Sequence, residues 1–117
     1  MSEIRATTIS DAAGTGPITL TKQSAAKVWV QHTDTAVNNA SLGISSIVDD
    51  AVGINTLNFS NAFSDSNFAT TGMSQTGSDR VVTASSPTTT SAVIETFNTA
   101  GSNVASTSNQ AIFGDLA

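Results

Sequence analysis

Residues 24–35, SAAKVWVQHTDT, contain the only tryptophan and the only histidine of the chain. Within this stretch Val28 and Val30 alternate with Lys27 and Trp29, and a period of two is the pattern of a β-strand. The stretch is therefore predicted to be a strand that enters a small β-domain.

Short apolar runs recur after this first strand, with turn residues between them, which is typical of a β-sandwich or β-barrel. In the second of these runs, residues 41–50, Leu42 and Ile44 are expected to share a face. Pro87 is expected in a loop or at a sheet edge, because proline cannot donate to a ladder. Residues 98–109 are almost all small and polar and are expected to form a long surface loop. The seven predicted strands lie within residues 26–32, 41–50, 53–60, 66–74, 80–85, 91–98 and 109–115.

The predicted fold class is all-β: a small antiparallel β-sandwich or jelly-roll-like domain over residues 23–117, preceded by an extended N-terminal arm over residues 1–22. Ser and Thr make up 35 of the 117 residues, and these side chains compete with the hydrogen bonds of helices. Ile, Leu, Val, Phe and Trp together number only 27, so the core is thin. We expect such a domain to gain stability by docking against neighbours.

The arm carries apolar side chains that are spread among small polar residues around the turn sequence DAAGTGP, residues 11–17. They are too few and too widely spaced to form a core of their own, so the arm is expected to attach the chain to a partner. An ordinary first strand of the domain is the alternative. The expected assembly contacts are Ile4, Ile9, Ile18 and Leu20.

The composition argues against several classes of function. The chain has no cysteine, so disulfides and thiolate zinc sites are excluded. It has only four Lys and Arg residues and a net charge of −5, which argues against nucleic-acid binding because that requires a basic surface. No apolar stretch has the length of a membrane span or of a signal peptide, so we expect a soluble protein made in a cytoplasm, with no membrane contact.

No pattern of reactive side chains identifies an active site. His32 is the natural candidate for a general base, but it has no Cys or Glu nearby in sequence and is expected to be a surface residue at the end of its strand. The pair Asp49 and Asp50 and the stretch 64–67 offer oxygen ligands, yet neither matches a calcium loop, and turns explain them better. We therefore expect no catalytic, cofactor-binding or metal-binding residues, no cofactor and no enzyme activity.

Trp29 allows two interpretations. A lone tryptophan in a thin domain is expected to be a core anchor, because it is the largest apolar side chain available for burial. An exposed indole would instead suit the face of a sugar ring. The first interpretation is preferred here.

The order of segments resembles a family of small virion modules of tailed bacteriophages, often described as tail-fibre-like. Residues 4–33, IRATTISDAAGTGPITLTKQSAAKVWVQHT, are similar to the family's arm, T-I-x-D/N-x-x-G-x-x-P-V/I-T-L-T, which leads into K-x-W-V. Residues 43–59, GISSIVDDAVGINTLNF, look like the family's strand, turn and strand. Residues 62–72, AFSDSNFATTG, and 110–115, QAIFGD, resemble A-M-P-D-x-N-Y and the closing V-A-V-F-G-D. The resemblance implies a β-rich structural or host-contact role without a cofactor or an active site.

These observations lead us to expect a non-enzymatic structural protein of a bacteriophage virion, namely a decoration protein on the capsid surface. The alternative is a tail fibre or a host-recognition module that binds carbohydrate. The expected partners are the major capsid protein or another virion protein, together with further copies of the chain as a homo-oligomer, with a trimer favoured, or as lattice-bound copies. A host-surface glycan is a further candidate.

Overall fold

The computed structural model describes residues 26–117, which form eight β-strands and contain no helix. The predicted arm, with Ile4, Ile9, Ile18 and Leu20, lies outside the described residues. The strands are β1 (Val28–His32), β2 (Asn38–Leu42), β3 (Ile44–Ala51), β4 (Ile54–Phe59), β5 (Ala69–Ser74), β6 (Arg80–Ser85), β7 (Ser91–Asn98) and β8 (Ser108–Phe113).

The strands form two four-stranded antiparallel sheets. One has the order β2-β1-β8-β5 and is called the β1 sheet; the other has the order β3-β4-β7-β6 and is called the β4 sheet. The two sheets pack face to face, so the prediction of an all-β sandwich is confirmed. Every sheet contains strands that are far apart in sequence, such as β1 and β8.

The core lies between the central strands, because these strands alternate between buried and less buried positions. In β4 the buried residues are Asn55, Leu57 and Phe59, and β7 shows the same alternation. Burial of each large apolar side chain contributes roughly 1.5–3 kcal/mol. The buried apolar residues are Val28, Val30, Leu57, Phe59, Phe63, Ala92, Ile94 and Ile112.

Three phenylalanines, not the tryptophan, provide the aromatic part of the core. Phe59 packs edge-to-face on Phe63, with ring centroids 5.3 Å apart, and on Phe68, with centroids 5.7 Å apart. Trp29 is 42% exposed, so the prediction that it is the core anchor is wrong. The reason is the phase of β1: Val28 and Val30 point inward, and the period of two turns Trp29 to the outer face.

The second predicted run is two strands, because Gly43 divides it. Gly43 has φ +75°, a conformation that glycine adopts without the steric cost of a side chain, and the chain passes there from the β1 sheet to the β4 sheet. Leu42 ends β2 and is 53% exposed, whereas Ile44 begins β3 and packs against the core. The expectation that these two residues share a face is therefore wrong.

Candidate functional site

The sandwich interior is polar at one end, and His32 lies there. His32 is 1% exposed, so the expectation of a surface position is wrong; its strand-end position is inside the domain. The Nδ1 atom donates to the carbonyl oxygen of Thr33 at 3.0 Å. Among the described residues no carboxylate is hydrogen-bonded to His32, and no partner contacts its Nε2 atom.

Hydroxyl and amide side chains surround this end of the core. Thr96 Oγ1 on β7 and Ser108 Oγ on β8 are 3.3 Å apart and join the two sheets. Gln110 is 3% exposed, and neither its Oε1 nor its Nε2 atom has a hydrogen-bond partner within the protein. The same is true of Asn55 Oδ1. This interior carries an energetic cost, because buried polar atoms without partners lose their hydration.

Of the acidic residues considered as cation ligands, Asp65 belongs to a turn as expected, whereas Asp49 and Asp50 lie within β3, so the expectation of a turn is wrong for this pair. Asp65 Oδ1 accepts a hydrogen bond from the backbone nitrogen of Asn67 at 2.7 Å, which closes a local turn. Asp50 Oδ2 accepts from Thr56 Oγ1 at 2.6 Å, while Asp49 pairs in register with the inward-facing Asn55. Within residues 26–117 no group of three or more acidic, histidine or cysteine residues converges as a metal site would require.

The outer face of the β1 sheet is the surface of the molecule with the clearest potential for binding. Trp29 is in register with Leu42 on β2 and with Ala111 on β8, and Ala111 is in register with Thr71 on β5. One row of outward side chains therefore crosses all four strands. The adjacent row consists of Ala40, Gln31, Asn109 and Met73.

Three large apolar side chains are well exposed on this face. Leu42 is 53% exposed and Met73 is 67% exposed, beside the half-exposed Trp29. Between β5 and β8 the surface forms a shallow depression of about 270 Å³, lined by Thr71, Met73, Asn109, Ala111 and the neighbouring backbone. Exposed apolar residues that are contiguous on one face mark contact sites far more often than scattered ones do.

The β1 sheet also differs from the β4 sheet in charge. None of the residues of β1, β2, β5 and β8 is Asp, Glu, Lys or Arg, whereas the β4 sheet contains Asp49, Asp50, Arg80 and Glu95. The Asp34 carboxylate lies outside the strands and accepts from the backbone nitrogen of Gly53 at 2.6 Å. The four strands of the β1 sheet therefore carry no charge in a chain with a net charge of −5, and Lys27, directly before β1, is the charged residue in phase with Trp29.

Sequence reasoning placed Trp29 in the core and did not identify Leu42 or Met73 as surface residues. The available signal was the absence of charge from whole runs such as ATTGMS and SNQAIF. The outward positions of an antiparallel strand that faces water are usually polar.

The described residues include no helix long and apolar enough to cross a membrane. Comparison of the chain with models of protein families, with curated proteins and with solved structures finds no match.

Proposed function

We propose that the chain is a non-enzymatic structural protein of a bacteriophage virion that decorates the capsid surface. Its N-terminal arm contacts the major capsid protein or another virion protein, and its sandwich contacts further copies of the chain. The observation that carries the proposal is the outer face of the β1 sheet, whose strands have no charged residue and on which Trp29, Leu42 and Met73 are exposed. Such a face is suited to association with protein surfaces.

The physical argument starts from the thin core. Part of the apolar side chain area that other domains bury inside is exposed here, with Trp29, Leu42 and Met73 on the β1 sheet and Val48 and Val81 on the β4 sheet. Burying such area against another protein contributes roughly 25 cal/mol per Å². Ile4, Ile9, Ile18 and Leu20 of the arm offer a second apolar set. Two apolar sets, one on the β1 sheet and one in the arm sequence, fit a subunit that has two kinds of neighbour, the shell and its own copies.

The exposure of Trp29 also favours a second candidate, a tail fibre or host-recognition module that binds a glycan. An indole that is 42% exposed on a sheet can stack on a sugar ring, and the amides of Gln31 and Asn109 are in the adjacent row. In the row of Trp29 itself, however, the direct neighbours are Leu42 and Ala111, which cannot hydrogen-bond sugar hydroxyls. Protein contact is therefore the preferred proposal.

The test uses particles purified by density gradient from a lysate in which the chain is produced. We expect peptide mass spectrometry to find the chain in the particles at a fixed ratio to the major capsid protein. Difference density between particles with and without the chain should lie on the shell. A chain that remains in the soluble fraction would overturn the proposal, and density on the tail would favour the fibre candidate.

The role of the arm is tested on the same particles with the full chain. The double variant Ile18→Ser, Leu20→Ser should lower the occupancy of the particle by an order of magnitude, because two buried side chains together contribute several kcal/mol. Thr19→Ala with Thr21→Ala is the matched control and should leave occupancy unchanged. Equal occupancy for both double variants would remove the arm from the attachment mechanism.

A further inference from the structure

We propose that the outer face of the β1 sheet pairs with the same face of a second copy of the chain, about a two-fold axis parallel to the strands. The pairing adds detail to the assembly role proposed above. It depends on that role only because the role requires several copies of the chain. Four properties of the face support it: the order of side chain sizes, the adjacent row, the depression, and the absence of charge.

In the row of Trp29, the two large side chains lie on one half of the face and the two small ones lie on the other half. Leu42 and Trp29 stand on β2 and β1, and Ala111 and Thr71 stand on β8 and β5. A two-fold axis that runs along the strands between β1 and β8 reverses this order in the second copy. Trp29 then lies over Ala111 of the second copy, and Leu42 lies over Thr71 of the second copy. Each large side chain meets a small one.

The two ends of the adjacent row also match a small side chain with a large one. Its order is Ala40, Gln31, Asn109 and Met73 from β2 to β5. The same axis places Ala40 over Met73 of the second copy, again a small side chain against a large one. It also places Gln31 over Asn109 of the second copy, where two amides can exchange hydrogen bonds.

The depression lies on the part of the face that receives large side chains of the second copy. It occupies the half of the face formed by β5 and β8 and has a volume of about 270 Å³. In the proposed pair this half receives the Trp29 and Leu42 side chains of the second copy. Packed sheets lie about 10 Å apart, and their strands are within about 30° of parallel, so side chains of this size reach across the interface.

The distribution of charge favours pairing through the β1 sheet rather than through the β4 sheet. The outer face of the β4 sheet includes Glu95, whose register partners are Ile54 and Thr83, and a two-fold axis through it would bring like charges of the two copies together. The strands of the β1 sheet carry none of the net charge of −5. Two copies therefore approach through the β1 sheet without repulsion between charged strand side chains. Lys27, which directly precedes β1 and lies on the same side as Trp29 by the alternation of the strand, is outside the two rows that pair.

Sedimentation velocity of the full chain tests the proposal in solution. We expect the mass to rise from 11.8 kDa towards twice that value as the concentration increases. Trp29→Ala should weaken the dimer about 30-fold or more, the loss typical of a central aromatic contact. Ala111→Trp should abolish it, because the indoles of the two copies would then compete for one space.

The double variant Trp29→Ala, Ala111→Trp is the decisive test. It exchanges the large and the small member of each contact, so it should restore the dimer to within a few-fold of the original affinity. Ala40→Arg, at an exposed position, provides a second disruptive variant that leaves the core untouched. Val81→Ala and Thr83→Trp, on the outer side of the β4 sheet, are the matched controls and should dimerise normally. Thermal unfolding verifies that each variant is folded.

Several outcomes would overturn the pairing. They are a chain that remains monomeric up to about 1 mM, a trimer as the only assembly, and a dimer that is insensitive to Trp29→Ala and Ala40→Arg. Failure of the double variant to recover affinity while it remains folded would also reject the geometry. A monomer whose Trp29 fluorescence responds to a glycan would assign the face to sugar. The amount of the chain in virus particles is measured in a separate experiment. A failed pairing therefore does not overturn the proposed virion role.

Discussion

Trp29 has Leu42 and Ala111 as direct cross-strand neighbours on the solvent side of its sheet. Cross-strand contacts of this kind contribute roughly 0.2–1 kcal/mol. Trp29→Ala should therefore lower the free energy of unfolding of the monomer by about 1 kcal/mol, measured by urea unfolding at low micromolar concentration. Leu57→Ala, at a fully buried position, is the comparison and should cost about 2–5 kcal/mol. Equal losses would mean that Trp29 supports the core after all.

Gln110 is buried between the sheets with both polar atoms unpartnered within the protein. Gln110→Met keeps the length of the side chain and removes the polar atoms that have lost their hydration. We expect this variant to raise the free energy of unfolding by about 1–3 kcal/mol. Gln31→Met is the control, since Gln31 is on the outer face and donates to Gln75 Oε1 at 3.1 Å. A destabilised Gln110→Met protein would show that the amide makes compensating interactions.

At the scale of elements, the turn between β3 and β4 connects the two sheets by hydrogen bonds. Gly53 has φ +72°; its nitrogen donates to Asp34 Oδ1 at 2.6 Å, and its carbonyl oxygen accepts from the nitrogen of Thr96 at 2.8 Å. A Cβ atom at this position would lie 2.7 Å from the backbone nitrogen of Val104. The turn of one hairpin is thus held against the neighbouring turn and loop with no space for a side chain.

Gly53 and Gly101 form a matched pair for testing this contact. Gly101 has φ +83° as well, but a Cβ atom there would meet nothing within 4 Å. Gly101→Ala should cost only the left-handed backbone conformation, roughly 1–2 kcal/mol. Gly53→Ala should cost at least about 2 kcal/mol more, because backbone atoms must move. Thermal or urea unfolding measures both, and equal losses would contradict the tight packing of this turn.

The sequence pattern predicted elements better than it predicted what each element contacts. Alternation in SAVIETFN and NQAIF was sufficient to place β7 and β8, because a half-buried strand requires a period of two. The pattern could not distinguish the inner from the outer face of β1, since Trp29 and the valines are all apolar. The choice depends on Ile112, Phe59 and other residues distant in sequence, which pack on the valines.

At the scale of the whole molecule, the sequence pattern also could not predict the passage between the sheets at Gly43 or the polar end of the core. A single glycine inside an apolar run is compatible with a continuous strand, and only tertiary pairing shows that β2 and β3 belong to different sheets. The sequence predicts a surface position for His32 because it ends its strand and has no Cys or Glu nearby. Its burial depends on Ser108, which is 76 positions away in sequence and is its register partner.

The outer face of the β1 sheet, whose four strands carry no Asp, Glu, Lys or Arg, is the proposed contact surface, and Trp29 reports on it directly because the chain has no other tryptophan. The measurement is acrylamide quenching of the fluorescence of the full chain, in dilute solution and in its associated state. We predict an indole that is readily quenched when dilute, and several-fold less quenched, with a blue-shifted emission, when associated. Equal quenching in the two states would contradict the assignment of this face as the contact surface.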